Sequence, residues 1–492
     1  MRDFIQSLAY NHYHPLVFNS VLFFLLFTVF YLVYVVAFNH VKARNALLLL
    51  FSLYFYYKVS GIAVIILLVI STTDFFIGKG IFKVKRKSGK TWLLLLSLLI
   101  DLGCLFYFKY TNFFLQTWAN INGISDPLLL NIILPIGISF FIFKTLSYIF
   151  DLYRETIESP ERNYINYVLY VSFFPNILAG PISKAADLLP QIKNKLIINR
   201  ESIGKGFFLI MSGAFKKIVI ADFLANNFVD RVFDAPSYFT GFESLMASYG
   251  YTIQLYFDFS GYTDIVIGIA CLLGFSIMPN FNKPFSALNI TDFWRRWHLT
   301  LSAWLRDYLF TPLSLKLRRW NIFGLMLAVV ITFIICGLWH GPRFTFIIWG
   351  GLHGIAMAWD RLTNKVRNRI KKRVNTGIYK FISIFITFHF ICFSFIIFRA
   401  SDVGTALKIY EKIFTSVDFS LAGQWIGLYI YPFLALILGL LLHYTPLSWN
   451  TALLRGFTKL HWTLKALVVS LAFVIIYQVF STQAQPFIYL EF

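Results

Sequence analysis

Two histidines stand where an imidazole is costly to keep. His340 closes an apolar run as Cys336-Gly337-Leu338-Trp339-His340-Gly341-Pro342. His298 lies in the aromatic and basic segment Phe293-Trp294-Arg295-Arg296-Trp297-His298-Leu299-Thr300-Leu301-Ser302-Ala303-Trp304-Leu305-Arg306-Asp307-Tyr308. Desolvating a histidine at the end of a membrane-length segment costs free energy, so keeping one there points to a function. A neutral imidazole can take a proton from a hydroxyl as that oxygen attacks an electrophile. His340 is read as such a base and His298 as its partner, although an interfacial anchor would also account for the segment around His298.

The other groups capable of chemistry have simpler readings. Cys104, Cys271, Cys336 and Cys392 are scattered singly, with no C-x-x-C spacing for zinc or redox work, and read as small core residues. Cys336, one helical turn before His340, could carry an acyl group. Asp258 and Asp264 fall inside an apolar stretch, where a carboxylate needs a partner, so pairing with Lys or Arg is expected. Six residues apart, they lie on different sides of a helix and do not form a dyad. His353, in Trp349-Gly350-Gly351-Leu352-His353-Gly354, reads as a packed, hydrogen-bonded histidine on a glycine-rich helix contact. His389 and His443 carry no further signature, and His12 with His14 read as a solvated lead-in.

Elements that could position such groups follow from composition. Of 492 residues, 58% are hydrophobic and 14% charged, too apolar for a water-soluble enzyme of this length. Lys and Arg outnumber Asp and Glu by 44 to 23, but the basic residues gather between apolar runs, as cytoplasmic loops require, and nucleic acid is not a partner. The chain therefore reads as an all-α polytopic membrane protein with about 11–13 membrane segments, some re-entrant. It is expected to form a single domain over residues 1–492.

Residues 17–38 are expected to be a retained helix. Residues 45–57 and 62–77 are expected to form a hairpin at Ser60-Gly61, placing Lys42 and Arg44 on the same side as the cluster from Lys79 to Lys90. Residues 110–127 read as an external loop. Pro135-Ile136-Gly137 and Pro175 to Pro181 interrupt apolar runs, which membranes tolerate only where protein or water satisfies the backbone. Lys216 and Lys217 are expected to snorkel or face a polar cavity.

Taken as one helix at about 100° per residue, residues 293–308 put Trp294, Trp297, Leu301, Trp304, Leu305 and Tyr308 on a single arc. This predicts an amphipathic helix with tryptophans at the membrane boundary and arginines toward phosphates or a polar cavity. Residues 322–339 then run outward and 344–359 return to the dense basic run from Arg361 to Arg373. A short amphipathic helix is expected near Ala406, Ile409, Tyr410 and Ile413.

With these residues in view, the chain resembles the membrane-bound O-acyltransferase family, in its bacterial alginate O-acetylation branch. The ordered set carries the likeness: Pro135-Ile136-Gly137-Ile138-Ser139-Phe140-Phe141, Phe173-Phe174-Pro175, Ala179-Gly180-Pro181, Tyr256-Phe257-Asp258-Phe259-Ser260-Gly261-Tyr262, residues 293–310, Gly337-Leu338-Trp339-His340-Gly341 and Phe487-Ile488-Tyr489-Leu490-Glu491-Phe492. Arg295-Arg296-Trp297-His298 stands where sterol-acylating members carry an Asp-Trp-Trp-Asn-like motif, which argues against a sterol acceptor.

The resemblance implies a helical bundle around a central tunnel, with the catalytic region at about 130–360, His340 matching the family's invariant histidine and His298 its second polar position. It implies no bound cofactor and an acyl thioester donor such as acetyl-CoA, contacted by Arg295 and Arg296. Trp297, Trp304 and Trp339, with Asp258, Ser260 and Tyr262, are the further candidates for substrate and donor binding. An exported polysaccharide or an extracytoplasmic acetyltransferase would take the acyl group, and the location implied is the inner or cytoplasmic membrane. D-alanyl transfer to teichoic acid is the nearest alternative. Transport of a polysaccharide or lipid-linked sugar and a scaffold role are alternatives of a different class.

Overall fold

The computed structural model describes residues 8–11, 15–18, 20–479 and Phe487. His12, His14 and residues 488–492 lie outside them. Of the described residues 79% are helical, and none is in a strand. Among the described residues, five helical stretches are long and apolar enough to cross a bilayer: Val41–Lys83, Lys87–Ile121, Gly241–Leu272, Arg318–His340 and Thr376–Arg399. A sixth follows if Phe419–Leu428 and Ile430–Tyr444, bent by 101°, form one broken span, and Val21–Ala37 and Trp462–Ala472 are shorter apolar helices. The protein is all-α and polytopic. Contacts gather it into two compact units, Met1–Asn199 with Ile269–Met278 and Arg200–Gly268 with Pro279–Phe492.

In the first unit, α1 (Val21–Ala37) is the expected early helix, capped by Ser20. α2 (Val41–Ser60) and α3 (Val64–Lys83) are joined by a single 3₁₀ turn in which Gly61 has φ +58°. The expected hairpin does not form. Val41–Lys83 runs on as one helical stretch of 43 residues, and the main partners of the two helices lie elsewhere: α2 on α7 (Tyr164–Ser172), α3 on α4 (Lys87–Leu105) and α6 (Ile138–Tyr153). Arg44, read as a loop charge, is fully buried and donates to Asn45 Oδ1 and the Ile192 carbonyl. Its charge therefore says nothing about which side of the membrane the segment starts on.

The expected loop after residue 110 is instead helix. α4 runs through one π turn, Phe106–Tyr110, into α5 (Thr111–Ile121), and Lys109, within that turn, is buried with Nζ 3.4 Å from Ser139 Oγ. The turn comes later, at Asn122 and Gly123. A polar cluster ties α3, α4 and α6: Ser97 Oγ donates to Asp74 and Thr145 Oγ1 to Asp101, each at 2.7 Å.

The two interrupted segments meet. Gly137, at φ +80°, starts α6, and a Cβ there would lie 2.7 Å from the Ile177 carbonyl oxygen. Lys144 Nζ, from α6, donates to Asn176 Oδ1 and the Val171 carbonyl, both at 3.2 Å, while Asn176 Nδ2 donates to Ser183 Oγ at 2.8 Å. Protein groups thus satisfy the irregular backbone, as an apolar setting demands. Gly137→Ala should lower the thermal midpoint of the purified protein, because the left-handed backbone alone costs about 1–3 kcal/mol and the clash adds to it. Gly123→Ala, also at positive φ but with nothing within 4 Å, should lose only the first part.

In the second unit, glycines set the spacing. α8 (Arg200–Phe215) and α9 (Gly241–Leu272) touch at Gly206 with Gly268 and at Gly213 with Gly261, where an added Cβ would lie under 3 Å from backbone oxygen. This approach lets Lys216 reach Asp264 at 2.5 Å and Lys217 reach both Asp222 and Asp258. The expected pairing of the carboxylates holds, but Lys217 does not snorkel: it is 2% exposed, inside the protein. α12 (Asn321–His340) and α13 (Phe344–Arg373) run antiparallel, Gly337 against Phe346 and Gly354 against Val330, and α14 (Thr376–Arg399) packs beside α13. The amphipathic helix is α15 (Val403–Thr415), which buries Ala406, Ile409 and Ile413.

Candidate active site

The segment around His298 is not one helix. α10 (Ile290–Trp294) ends, His298 takes a left-handed conformation (φ 43°, ψ 56°), α11 (Leu299–Leu305) begins, and a π turn follows over Arg306–Phe310. Histidine is among the residues that tolerate this region, though it still costs energy. The apolar set read from a helical wheel is right in membership and wrong in destination. Trp294, Trp297, Leu301, Trp304, Leu305 and Tyr308 are all buried in protein rather than laid along a membrane boundary. Periodicity records which residues leave water, and both destinations satisfy it.

The break turns His298 fully inward. Its ring meets Phe259 edge-on at 4.8 Å and approaches Trp339 at 6.4 Å between centroids. His340 is the last residue of α12. Gly341 is extended and Pro342 cannot continue the helix, so the chain turns away and leaves the imidazole at the helix end. His340 is 3% exposed, walled by Trp339 at 5.0 Å, Trp349 at 5.2 Å, Phe398 at 5.2 Å and Phe346 at 6.4 Å. The indole of Trp339 therefore lies against both imidazoles, and the structure brings the two sequence-predicted histidines together around it. Aromatic walls of this kind exclude water from a reacting centre.

His353 behaves as expected of a packed histidine. Trp294 Nε1 donates to its Nδ1 at 3.2 Å, its Nε2 lies 3.0 Å from Ser394 Oγ, and Ser394 Oγ donates to the Ile391 carbonyl. Because Nδ1 accepts and the serine proton is committed elsewhere, Nε2 carries the hydrogen, which fixes the tautomer. Trp294 in turn lines a cavity of about 380 Å³ together with Arg295, Ser302, Arg306, Thr332 and Phe333. Neither His298 nor His340 lines it. Trp294 lies 5.9 Å from Trp349, whose ring lies 5.2 Å from that of His340.

The remaining candidates divide. Arg295 is exposed at the cavity, whereas Arg296 bonds Asp292 at 3.0 Å. Trp297 is core, among Phe281, Phe293 and Phe395, and Trp304 packs on Tyr308. Asp258 is held by Lys217, Ser260 Oγ is buried with no hydrogen bond to a described residue, and Tyr262 meets Phe487 edge-on at 4.5 Å. Cys336 is wholly buried in α12. Sequence reasoning missed Phe259, Trp349 and Phe398 around the histidines, since nothing in their local pattern separates them from other core aromatics.

Comparison with known proteins gives the family. The profile of the MBOAT, membrane-bound O-acyltransferase family matches residues 51–400. A probable alginate O-acetylase of Pseudomonas putida is 34% identical over 92% of this chain and 95% of its own. A peptidoglycan O-acetyltransferase of Helicobacter pylori is 35% identical over 69% of this chain and 67% of its own, and a teichoic acid D-alanyltransferase of Bacillus subtilis is 30% identical over 54% and 69%.

Proposed function

We propose, from the premise that the chain belongs to the membrane-bound O-acyltransferase family and is an O-acyltransferase, that it moves acetyl groups from a cytoplasmic thioester donor toward an exported polysaccharide. The observation that carries this is the placing of His298 and His340 against one indole inside a buried aromatic chamber. Family membership removes the ground for the transporter reading. The acetyl group is favoured because the relatives that match most of this chain are named for O-acetylation, while the D-alanyl relative matches about half of it.

In this reading a hydroxyl, far too weakly acidic to attack unaided, gives its proton to His340 as its oxygen adds to the thioester carbonyl. His298 holds the carbonyl or orients the acceptor. The tetrahedral intermediate collapses, the carbon–sulfur bond breaks, and the leaving thiolate takes the proton back, so no proton is gained or lost overall. Arg295 and Arg306, at the cavity lined by Trp294, suit the phosphate of a donor such as acetyl-CoA. A polysaccharide, or an extracytoplasmic acetyltransferase that passes the group on, is the acceptor, and the inner membrane is the place.

Membranes bearing the protein should release label from acetyl-CoA into an ester on the acceptor. Transfer only from a D-alanyl thioester on a carrier protein would overturn the acetyl assignment and favour teichoic acid modification.

A further inference from the structure

We infer that Asn280 is the positioning residue that sets His298. The loop before α10 reaches back over the break at His298: Asn282 N donates to the Arg296 carbonyl at 2.9 Å and Leu299 N donates to the Asn280 carbonyl at 2.9 Å. The Asn280 side chain then takes two further donors on one oxygen, Thr300 N at 3.2 Å and Thr300 Oγ1 at 2.7 Å. The first two amides of α11 are thus capped by a residue outside the segment, and these are donors a helix start otherwise leaves unsatisfied. Between the two asparagines, Phe281 packs on Phe259 and on Trp297, each at 5.1 Å, and Phe259 is the ring against His298.

The local sequence alone favours a continuous helix through residues 293–308, as its apolar periodicity indicates. A left-handed residue in the middle persists only where the surroundings over-determine it. Asn280, 1% exposed, supplies that constraint. Without it the backbone at residue 298 is free to relax into the right-handed helix, which rotates the imidazole away from Trp339. One amide group would then control the aim of a ring 18 positions later in the chain.

Labelling tests the placement without reference to activity. In the purified full-length protein, diethylpyrocarbonate followed by peptide mass analysis should leave His298 and His353, both fully buried, unmodified. Asn280→Ala should expose His298 while His353 stays protected, and Asn280→Asp, which keeps both acceptor positions, should protect both. Continued protection of His298 in Asn280→Ala overturns the inference. If that variant also exposes His353, it has lost its fold, and Thr300→Val carries the test: partial labelling of His298 alone supports the assignment, and unchanged protection refutes it.

The consequence for rate rests on the proposed role of His298. Asn280→Ala should lower kcat by roughly 10²-fold with KM little changed, and should cost nothing further in a His298→Ala background. An equal loss in both backgrounds would show that Asn280 acts other than through His298. Full activity in His298→Ala alone would instead strike at the proposed function, leaving the labelling result to stand or fall by itself.

Discussion

His340→Ala should lower acyl transfer by roughly 10²–10⁴-fold, the range spanned by loss of a positioned acid–base group, while the protein remains inserted and monodisperse. The argument is geometric. His340 ends α12, held by four aromatic rings, so its removal takes away the base without unpinning the helix. The deletion also opens a cavity among those rings, which lowers stability. His340→Asn, with a shorter polar side chain and no base, separates the two effects: it should be as inactive as His340→Ala while unfolding at a higher temperature. Ester content of the cell's polysaccharides, compared with the thermal midpoint of each purified variant, reads both quantities. A His340→Ala protein that still transfers would move the base elsewhere or reduce this chain to a scaffold for an external transferase.

What the sequence made legible follows a physical boundary. His340 was readable because three local facts coincide there: an apolar run ends, a glycine and a proline stop the helix, and a titratable ring sits at the junction. The ion pairs of Asp258 and Asp264 were readable because a buried carboxylate has few alternatives. The break at His298 was not, because the hydrogen bonds that impose it come from Asn280, and a wheel drawn over residues 293–308 cannot contain them. Arg44 misled for a related reason. Hydropathy counts a cation as a loop signal, whereas this one is buried in the protein and donates to the Ile192 carbonyl. Tryptophans 294, 297 and 304 went astray because lipid interface and protein core select the same side chain.

Gly350→Ala should cost nearly as much as loss of the histidine, although Gly350 touches no reacting atom. α12 and α13 meet backbone to backbone. A Cβ on Gly350 would lie 2.2 Å from the Phe333 carbonyl oxygen, and one on Gly337 would lie 2.1 Å from that of Phe346. No rotamer relieves a clash with a main-chain oxygen, so the helices must part. Overpacking of this kind costs about 3 kcal/mol at the upper end of its usual range. The displacement reaches the chemistry directly, because Trp349 precedes Gly350 and stands against His340, while Phe346 and Trp339 flank the same ring. A shift of about 1 Å there can reduce turnover by roughly 10²-fold.

Gly351→Ala supplies the comparison from the next position of the same helix: its Cβ would find Ile334 Cγ1 at 3.9 Å, an ordinary contact. Alanine is favoured over glycine inside a helix by about 1 kcal/mol, so that variant should keep its activity and hold or raise its thermal midpoint. Two neighbouring glycines, given the same methyl group, should then differ in both activity and stability. If they behave alike, the spacing of this helix pair does not set His340, and the aromatic chamber must owe its shape to α14 through Phe398.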